Sequence, residues 1–216
     1  MSCWLEPETV AVPSALLEAV GGHPLVAHTL LRRGIDSVGA ARAFLDPAAY
    51  SPSDPTDLPD LALAAERLFQ AVDQGQRIAV WGDFDADGQT STAVLLAALR
   101  SLGADVVFHI PARQQGHGLH REGMERLAAS GTQLILTCDT GVTAHDAVAH
   151  ANALGMEVII TDHHVLDKHL PPALAVVNPL RLPASHPMAT LPGVGVAYEV
   201  ALALNPVQAE HSLDLV

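Results

Sequence analysis

The chain has 216 residues, 49% hydrophobic and only 16% charged, with 24 Asp and Glu against 11 Lys and Arg for a formal charge of −13. A charged fraction this far below the usual ~25%, with this much apolar content, excludes a disordered tail or a polyelectrolyte, and apolar runs as short as residues 94–99 fall well below the ~20 residues of a membrane span. The acidity argues against a non-specific duplex binder, which carries a basic face, and leaves open a nest of metal-binding carboxylates.

Residues 1–10 carry Glu6, Pro7 and Glu8 and no basic-then-apolar leader, so a soluble, cytoplasmic protein is expected. Residues 13–31 are predicted as one helix, with Leu16, Leu17 and Val20 at helical spacing, and residues 38–45 as a short second one. Residues 46–59, rich in Pro, Ser and Asp, read as a linker or extended arm. The expected organisation is a helical arm and linker over 1–53 and a larger domain over 54–216. Residues 61–74 return to helix (Leu61, Ala64, Ala65, Leu68, Phe69, Val72), closed by Gly75.

From there strands and helices alternate. Strands are predicted at 77–81, 105–110, 133–138, 157–161 and 174–177, and helices at 90–102, 122–129, 143–154 and 194–204, the last of these after Pro192-Gly193. Continuous apolar strands alternating with short helices predict an α/β fold, a parallel β-sheet sandwiched by helices.

Three of these strands run into ionisable clusters: Gly82-Asp83-Phe84-Asp85-Ala86-Asp87-Gly88, Asp139-Thr140-Gly141 and Asp162-His163-His164. In an open parallel sheet the C-terminal strand ends share one edge, where ligands bind beside helix N-termini. A single Asp there is ordinarily a turn residue or helix cap; three clusters at three successive ends predict a converging site. The first cluster also reads as the start of a calcium-binding EF-hand loop, but the twelfth position is Val94 rather than Glu, and a strand rather than a helix leads in. Asp oxygens joined by a His nitrogen suit Mn²⁺ before Mg²⁺, and a pair of such ions clamps a phosphate and activates water for in-line attack. Thr90 and Ser91, at the expected first turn of the 90–102 helix, are either phosphate contacts or ordinary caps. No nucleophile elbow or Walker-type loop is present, and Cys3 and Cys138 have neither metal spacing nor a disulfide framework. Cys138, ending an apolar strand, reads as a core residue.

These residues resemble the DHH phosphoesterase superfamily, whose signature is present as Asp162-His163-His164, and within it the RecJ-type single-strand-specific 5′→3′ exonucleases. The resemblance runs from about Asp54 onward and includes Asp83 to Ser91, Asp139-Thr140-Gly141, Asn178-Pro179 and Gly193-Val194-Gly195-Val196-Ala197. It implies that Asp85, Asp87, Asp139 and His163 are metal ligands, with Asp139 bridging two Mn²⁺ or Mg²⁺ ions, and that Asp162 and His164 support them or contact phosphate, His164 being counted with the catalytic set. The resemblance also implies that Asp83 orients the nucleophilic water or the loop. Arg113 and His117, in the most basic loop of the chain with His120 and Arg121, are substrate-contact candidates, and Gly193-Val194-Gly195 is a phosphate cradle or a loop packed on the metal edge. The implied activity is exonucleolytic hydrolysis of single-stranded DNA in repair and recombination, with a single-strand-binding protein or a helicase as candidate protein partners and neither a membrane nor a disulfide partner.

The chain departs from the pattern in three places. Trp81 stands where many members carry a ligating His, and His117 stands where the nuclease group has Tyr. The sequence ends at Ser212-Leu213-Asp214-Leu215-Val216, ahead of a fourth ligand motif and a C-terminal substrate domain. Weak metal binding and little nuclease activity are therefore expected of this polypeptide alone. A phosphodiesterase of oligoribonucleotides or cyclic dinucleotides, a pyrophosphatase, and a non-catalytic binding module on the same fold remain as alternatives.

Overall fold

The computed structural model describes residues 10–49 and 51–213. Cys3, the 1–9 part of the expected leaderless start, Tyr50 in the linker, and Asp214, Leu215 and Val216 lie outside the described residues. The chain divides into two compact units between Pro52 and Ser53.

The first unit holds α1 (Ser14–Ala19), α2 (Pro24–Arg32) and α3 (Val38–Leu45) around Leu16, Leu30 and Ala41. The single helix predicted over 13–31 is corrected to two. Gly21 and Gly22 both take left-handed backbone (φ 69° and 75°), and Pro24 then opens α2 at a position where its missing N–H costs nothing.

The second unit starts with α4 (Leu61–Asp73), then β1 (Arg77–Trp81), α5 (Ala86–Ser101), β2 (Val106–His109), α6 (Arg121–Ala129), β3 (Thr132–Cys138), α7 (His145–Ala153), β4 (Glu157–Thr161) and β5 (Ala175–Val177). It ends with α8 (Gly193–Leu204) and α9 (Pro206–Glu210). The five strands form one sheet in the order β2-β1-β3-β4-β5, with every pairing parallel, so the fold is α/β as expected. Alternate residues of the central strands serve opposite faces. Ile78, Val80, Leu134, Leu136 and Ile159 pack under α4, α5 and α8, whereas Ala79, Trp81, Ile135, Val158 and Ile160 pack under α6 and α7. Both faces are dry, which is why these strands read as unbroken apolar runs.

Two further helix expectations are corrected. The helix predicted from residue 90 begins at Ala86, because the Asp85 carboxylate caps it by accepting from the Gly88 N–H (3.0 Å). α8 is followed by α9, which the apolar pattern did not signal; Asn205 caps it and Pro206 opens it.

The sheet's β5 side is closed by side chains. The Asp60 carboxylate accepts from the Val176 N–H (3.1 Å) and from Arg181 Nη1 (2.6 Å), and Arg181 Nη1 also donates to the Val176 carbonyl. An ion pair thus occupies the backbone groups that a further strand would take.

Candidate metal centre

Parallel β1, β3 and β4 place their C-terminal ends side by side, and the three ionisable clusters meet there. Asp83, Asp85 and Asp139 each offer a carboxylate oxygen within 4.8 Å of the others, and Asp139, His163 and His164 form a second such group. His163 Nε2 lies 3.1 Å from Asp139 Oδ1 and 3.5 Å from Asp87 Oδ2, which brings Asp87 to the same place. The convergence expected from the sequence is therefore present for Asp83, Asp85, Asp87, Asp139, His163 and His164.

Asp139 is the electrostatic centre of this cluster. It is buried, with left-handed backbone (φ 59°), at a turn braced where Thr137 Oγ1 donates to the Thr140 carbonyl (2.7 Å). Burial, followed by the charges of Asp87 and Asp85, pushes its carboxyl up to about 8. Its Oδ1 is buried without a hydrogen-bond donor among the described residues. A desolvated carboxylate among like charges, with an unused inner oxygen and an imidazole at 3.1 Å, fits a divalent cation. The oxygen-rich donor set with one or two imidazoles suits Mn²⁺ or Mg²⁺ better than zinc.

Other carboxylates hold the frame. Asp162 is buried and spends Oδ1 on the His163 and His164 N–H groups (2.7 and 3.1 Å) and on His164 Nδ1 (2.7 Å), and Oδ2 on the Val142 N–H (2.9 Å). Desolvation works to lower the His164 imidazole, but the hydrogen bond and charge of Asp162, with the charges of Asp139 and Asp83, raise it above its ordinary value. Buried Asn178 donates from Nδ2 to the His164 carbonyl (3.0 Å), tying the Asn-Pro motif to the same loop. Asp83 Oδ1 accepts from the Phe84 N–H (2.6 Å), while Oδ2 pairs with His117 Nδ1 (2.6 Å). His117 also stacks on Phe84 (centroids 4.2 Å apart), and the Arg113 guanidinium lies 4.5 Å from the same ring centre. A cavity of about 510 Å³ opens beside these groups, lined by Asp83, His117, Asp139, Thr140, Thr143 and His164 among others.

Several expectations move. Thr90 and Ser91 lie beyond the first turn of α5, and their hydroxyls donate backward to the Ala86 carbonyl (2.8 Å) and the Asp87 carbonyl (2.6 Å). Ser91 is fully buried, so it is an internal helix residue and does not face a ligand. His120 leaves the basic loop: its Nδ1 accepts from the Gly123 N–H as the cap of α6 (3.1 Å), and its ring meets Trp81 edge-on. Arg121 is held against His150 Nδ1 (3.3 Å). Trp81 is fully buried against His109 and His120, on the α6 face of the sheet. A side chain at Gly123 would come within 2.2 Å of its ring, so glycine is required for that contact. Cys138 is buried, and burial pushes its thiol up to about 12, which makes it the core residue expected.

The N–H groups at the start of α8, expected to cradle phosphate or to pack on the metal edge, do the latter. Gly193 N donates to Asp87 Oδ2 (2.8 Å) and Val194 N to Asp87 Oδ1 (2.6 Å). Sequence reading missed this pairing, although the Gly-Val-Gly motif carried a signal for it.

The family model described as the N-terminal domain of the DHH family matches residues 77–216. The single-stranded-DNA-specific exonuclease RecJ of Bacillus subtilis is 40% identical over 202 residues, covering 93% of this chain and 26% of the relative. RecJ of Escherichia coli is 46% identical over 144 residues, covering 66% of this chain and 25% of the relative. The crystal structure of RecJ from Thermus thermophilus in complex with Mn²⁺ matches with a TM-score of 0.73 at 32% identity, over 95% of this chain and 30% of that one. The chain thus spans about a quarter of the length of these curated relatives.

Proposed function

This chain belongs to the DHH family, and from that premise we propose that residues 54–216 are the phosphoesterase domain of a metal-dependent exonuclease of single-stranded DNA, preceded by a helical arm over 1–53. The proposed reaction is hydrolysis of phosphodiester bonds, running 5′→3′, in repair and recombination, with a single-strand-binding protein or a helicase as protein partners and a cytoplasmic setting. The observation that carries the reading is the buried, donorless Oδ1 of Asp139 at the meeting point of Asp85, Asp87 and His163. The RecJ relatives are named for single-stranded DNA, and RecJ structures are described with manganese and with Mg²⁺.

In this reading Asp85, Asp87, Asp139 and His163 hold two Mn²⁺ or Mg²⁺ ions. Bound there, the ions supply Lewis-acid polarisation of the phosphate and a water of lowered pKa. The remaining roles belong to the chain itself. Asp162 fixes the His164 ring through Nδ1 (2.7 Å) and, with the other nearby acids, favours its protonated form over the ordinary imidazole, which suits it to donate to a phosphate oxygen or a leaving oxygen. Asp83 holds His117 at 2.6 Å, and the Arg113–Phe84–His117 stack presents a cation and ring faces to a single strand. Of the two possibilities for Asp83, loop orientation is the one its hydrogen bonds favour.

The test is Mn²⁺-dependent release of nucleotides from 5′-labelled single-stranded DNA, run beside short RNA and cyclic dinucleotides, with a chelator control. DNA-selective release that disappears with chelator is expected. Preferential cleavage of RNA or cyclic dinucleotides would move the reading to another phosphodiesterase. Metal binding with no cleavage of any substrate would favour a binding module.

A further inference from the structure

The first two N–H groups of α8 are not free for a ligand, because both oxygens of Asp87 already lie on them, at 2.8 and 2.6 Å. Gly193 also has no room for a side chain: a Cβ there would fall 2.5 Å from Asp139 Oδ1 and 2.8 Å from both Asp139 Cβ and Cγ. Asp139 is buried in a left-handed turn and has little freedom to withdraw. One residue of α8 therefore meets two carboxylates from two different elements, Asp87 in the first turn of α5 and Asp139 in the turn after β3. The helix behind it is anchored, since Val196, Ala197, Val200 and Leu204 are buried in the core under α4 and α5.

We propose that the Gly193-Val194 backbone is a positioning element of the metal centre, clamping Asp87 through two N–H groups while the bare Cα of Gly193 lets Asp139 close beside it. The inference rests on the metal-centre reading above. Asp85, Asp87 and Asp139 repel one another, and the carboxylate of Asp87, on the first turn of α5, would otherwise swing toward water. Two charge-assisted hydrogen bonds at a helix N-terminus stabilise the anion where it stands. The carboxylate keeps lone pairs beyond those the N–H groups use, so the clamp orients it without consuming it. Supporting groups of this kind tune metal affinity by ~10- to 100-fold.

The test compares Gly193→Ala with Gly195→Ala, whose Cβ would meet Leu191 Cδ2 at 3.0 Å and Pro192 Cδ at 3.1 Å as its nearest neighbours rather than Asp139. Mn²⁺ affinity is measured by electron paramagnetic resonance of the free ion, without nucleic acid, alongside thermal unfolding of each variant. Gly193→Ala is expected to lose ~10- to 100-fold in affinity and Gly195→Ala to stay within about twofold of wild type. If Gly193→Ala does not fold, Val194→Pro removes one donor in the first helical turn, where the N–H makes no intrahelical bond, and the same loss is expected. In metal-free protein, the amide proton resonances of Gly193 and Val194 are expected downfield and to move together in Asp87→Asn. Equal affinity losses in the two glycine variants, no loss in either, or amides indifferent to Asp87→Asn would overturn the clamp. So would a wild-type chain that binds no Mn²⁺. A wild type that binds Mn²⁺ in a Gly193-dependent way but cleaves no nucleic acid would uphold the clamp and sink the nuclease reading.

Discussion

Asp60 and Asp139 are the two non-glycine residues with positive φ among the described residues, at 64° and 59°. Both follow the rule that Asp tolerates left-handed backbone better than most side chains, yet their surroundings are opposite. Asp60 receives Arg181 and the Val176 N–H; despite the desolvation that works to raise it, those bonds hold its carboxyl below the ordinary value. Asp139 receives no such donor, and burial with Asp87 and Asp85 pushes it up to about 8. The first arrangement completes the side of a sheet. The second leaves the metal-free fold with an electrostatic conflict that a divalent cation would relieve in the proposed reading, a pattern expected where function competes with stability.

Removing each carboxylate should separate the two cases. Asp139→Asn is expected to lower metal-dependent cleavage ~100-fold, measured as nucleotide release, and, above pH 8 where the carboxyl is charged, to raise the melting temperature of the metal-free protein by removing like-charge repulsion. A lower melting temperature with chelator present would break the comparison. Asp60→Ala should do the reverse, leaving Mn²⁺ affinity unchanged while unfolding in urea shows a loss of about 1–3 kcal/mol, because Val176 and Arg181 are left without their acceptor. Unchanged urea stability would mean that water replaces the carboxylate at no cost.

Glu199 on α8 isolates burial from metal. Its Oε2 is buried without a donor among the described residues, and burial, then the charge of Asp54, pushes its carboxyl up to about 7. The neutral form is thus favoured by folding. Its stabilising contribution is complete below the ordinary value of 4.5 and is lost as pH rises through about 7. Between pH 5 and pH 8 the metal-free chain should lose about 1–2 kcal/mol through this group, and Glu199→Gln should abolish that part of the slope. Identical pH–stability curves for the two proteins would remove Glu199 from the account.

Much of this was legible in the chain because it is local. Apolar runs such as Ile78-Ala79-Val80 and Val158-Ile159-Ile160, short and rich in β-branched residues, read as strands buried on both faces, and the Asp and His clusters follow them directly. What escaped reading was either local but ambiguous or wholly non-local. Asp85 competes with Thr90 and Ser91 for the cap of α5, and the carboxylate won by reaching the Gly88 N–H. Asp60 stands at the N-cap of α4, the usual place for Asp, but its side chain makes no cap bond there and is committed to Arg181, 121 residues away. The Gly193–Asp87 contact spans 106 residues and the glycine motif names no partner.

The sequence by itself determined the α/β alternation and the set of acids and imidazoles at three strand ends, because side-chain period and turn chemistry act over a few residues. Only the tertiary structure decided the strand order, the side-chain closure of β5, and the burial that separates Asp139 from Asp60. It also decided that α8 meets the carboxylates with its backbone rather than offering that backbone to a phosphate. Each of these depends on which distant groups share a small volume of low dielectric, where a carboxylate's neighbours determine whether its charge is paired or opposed.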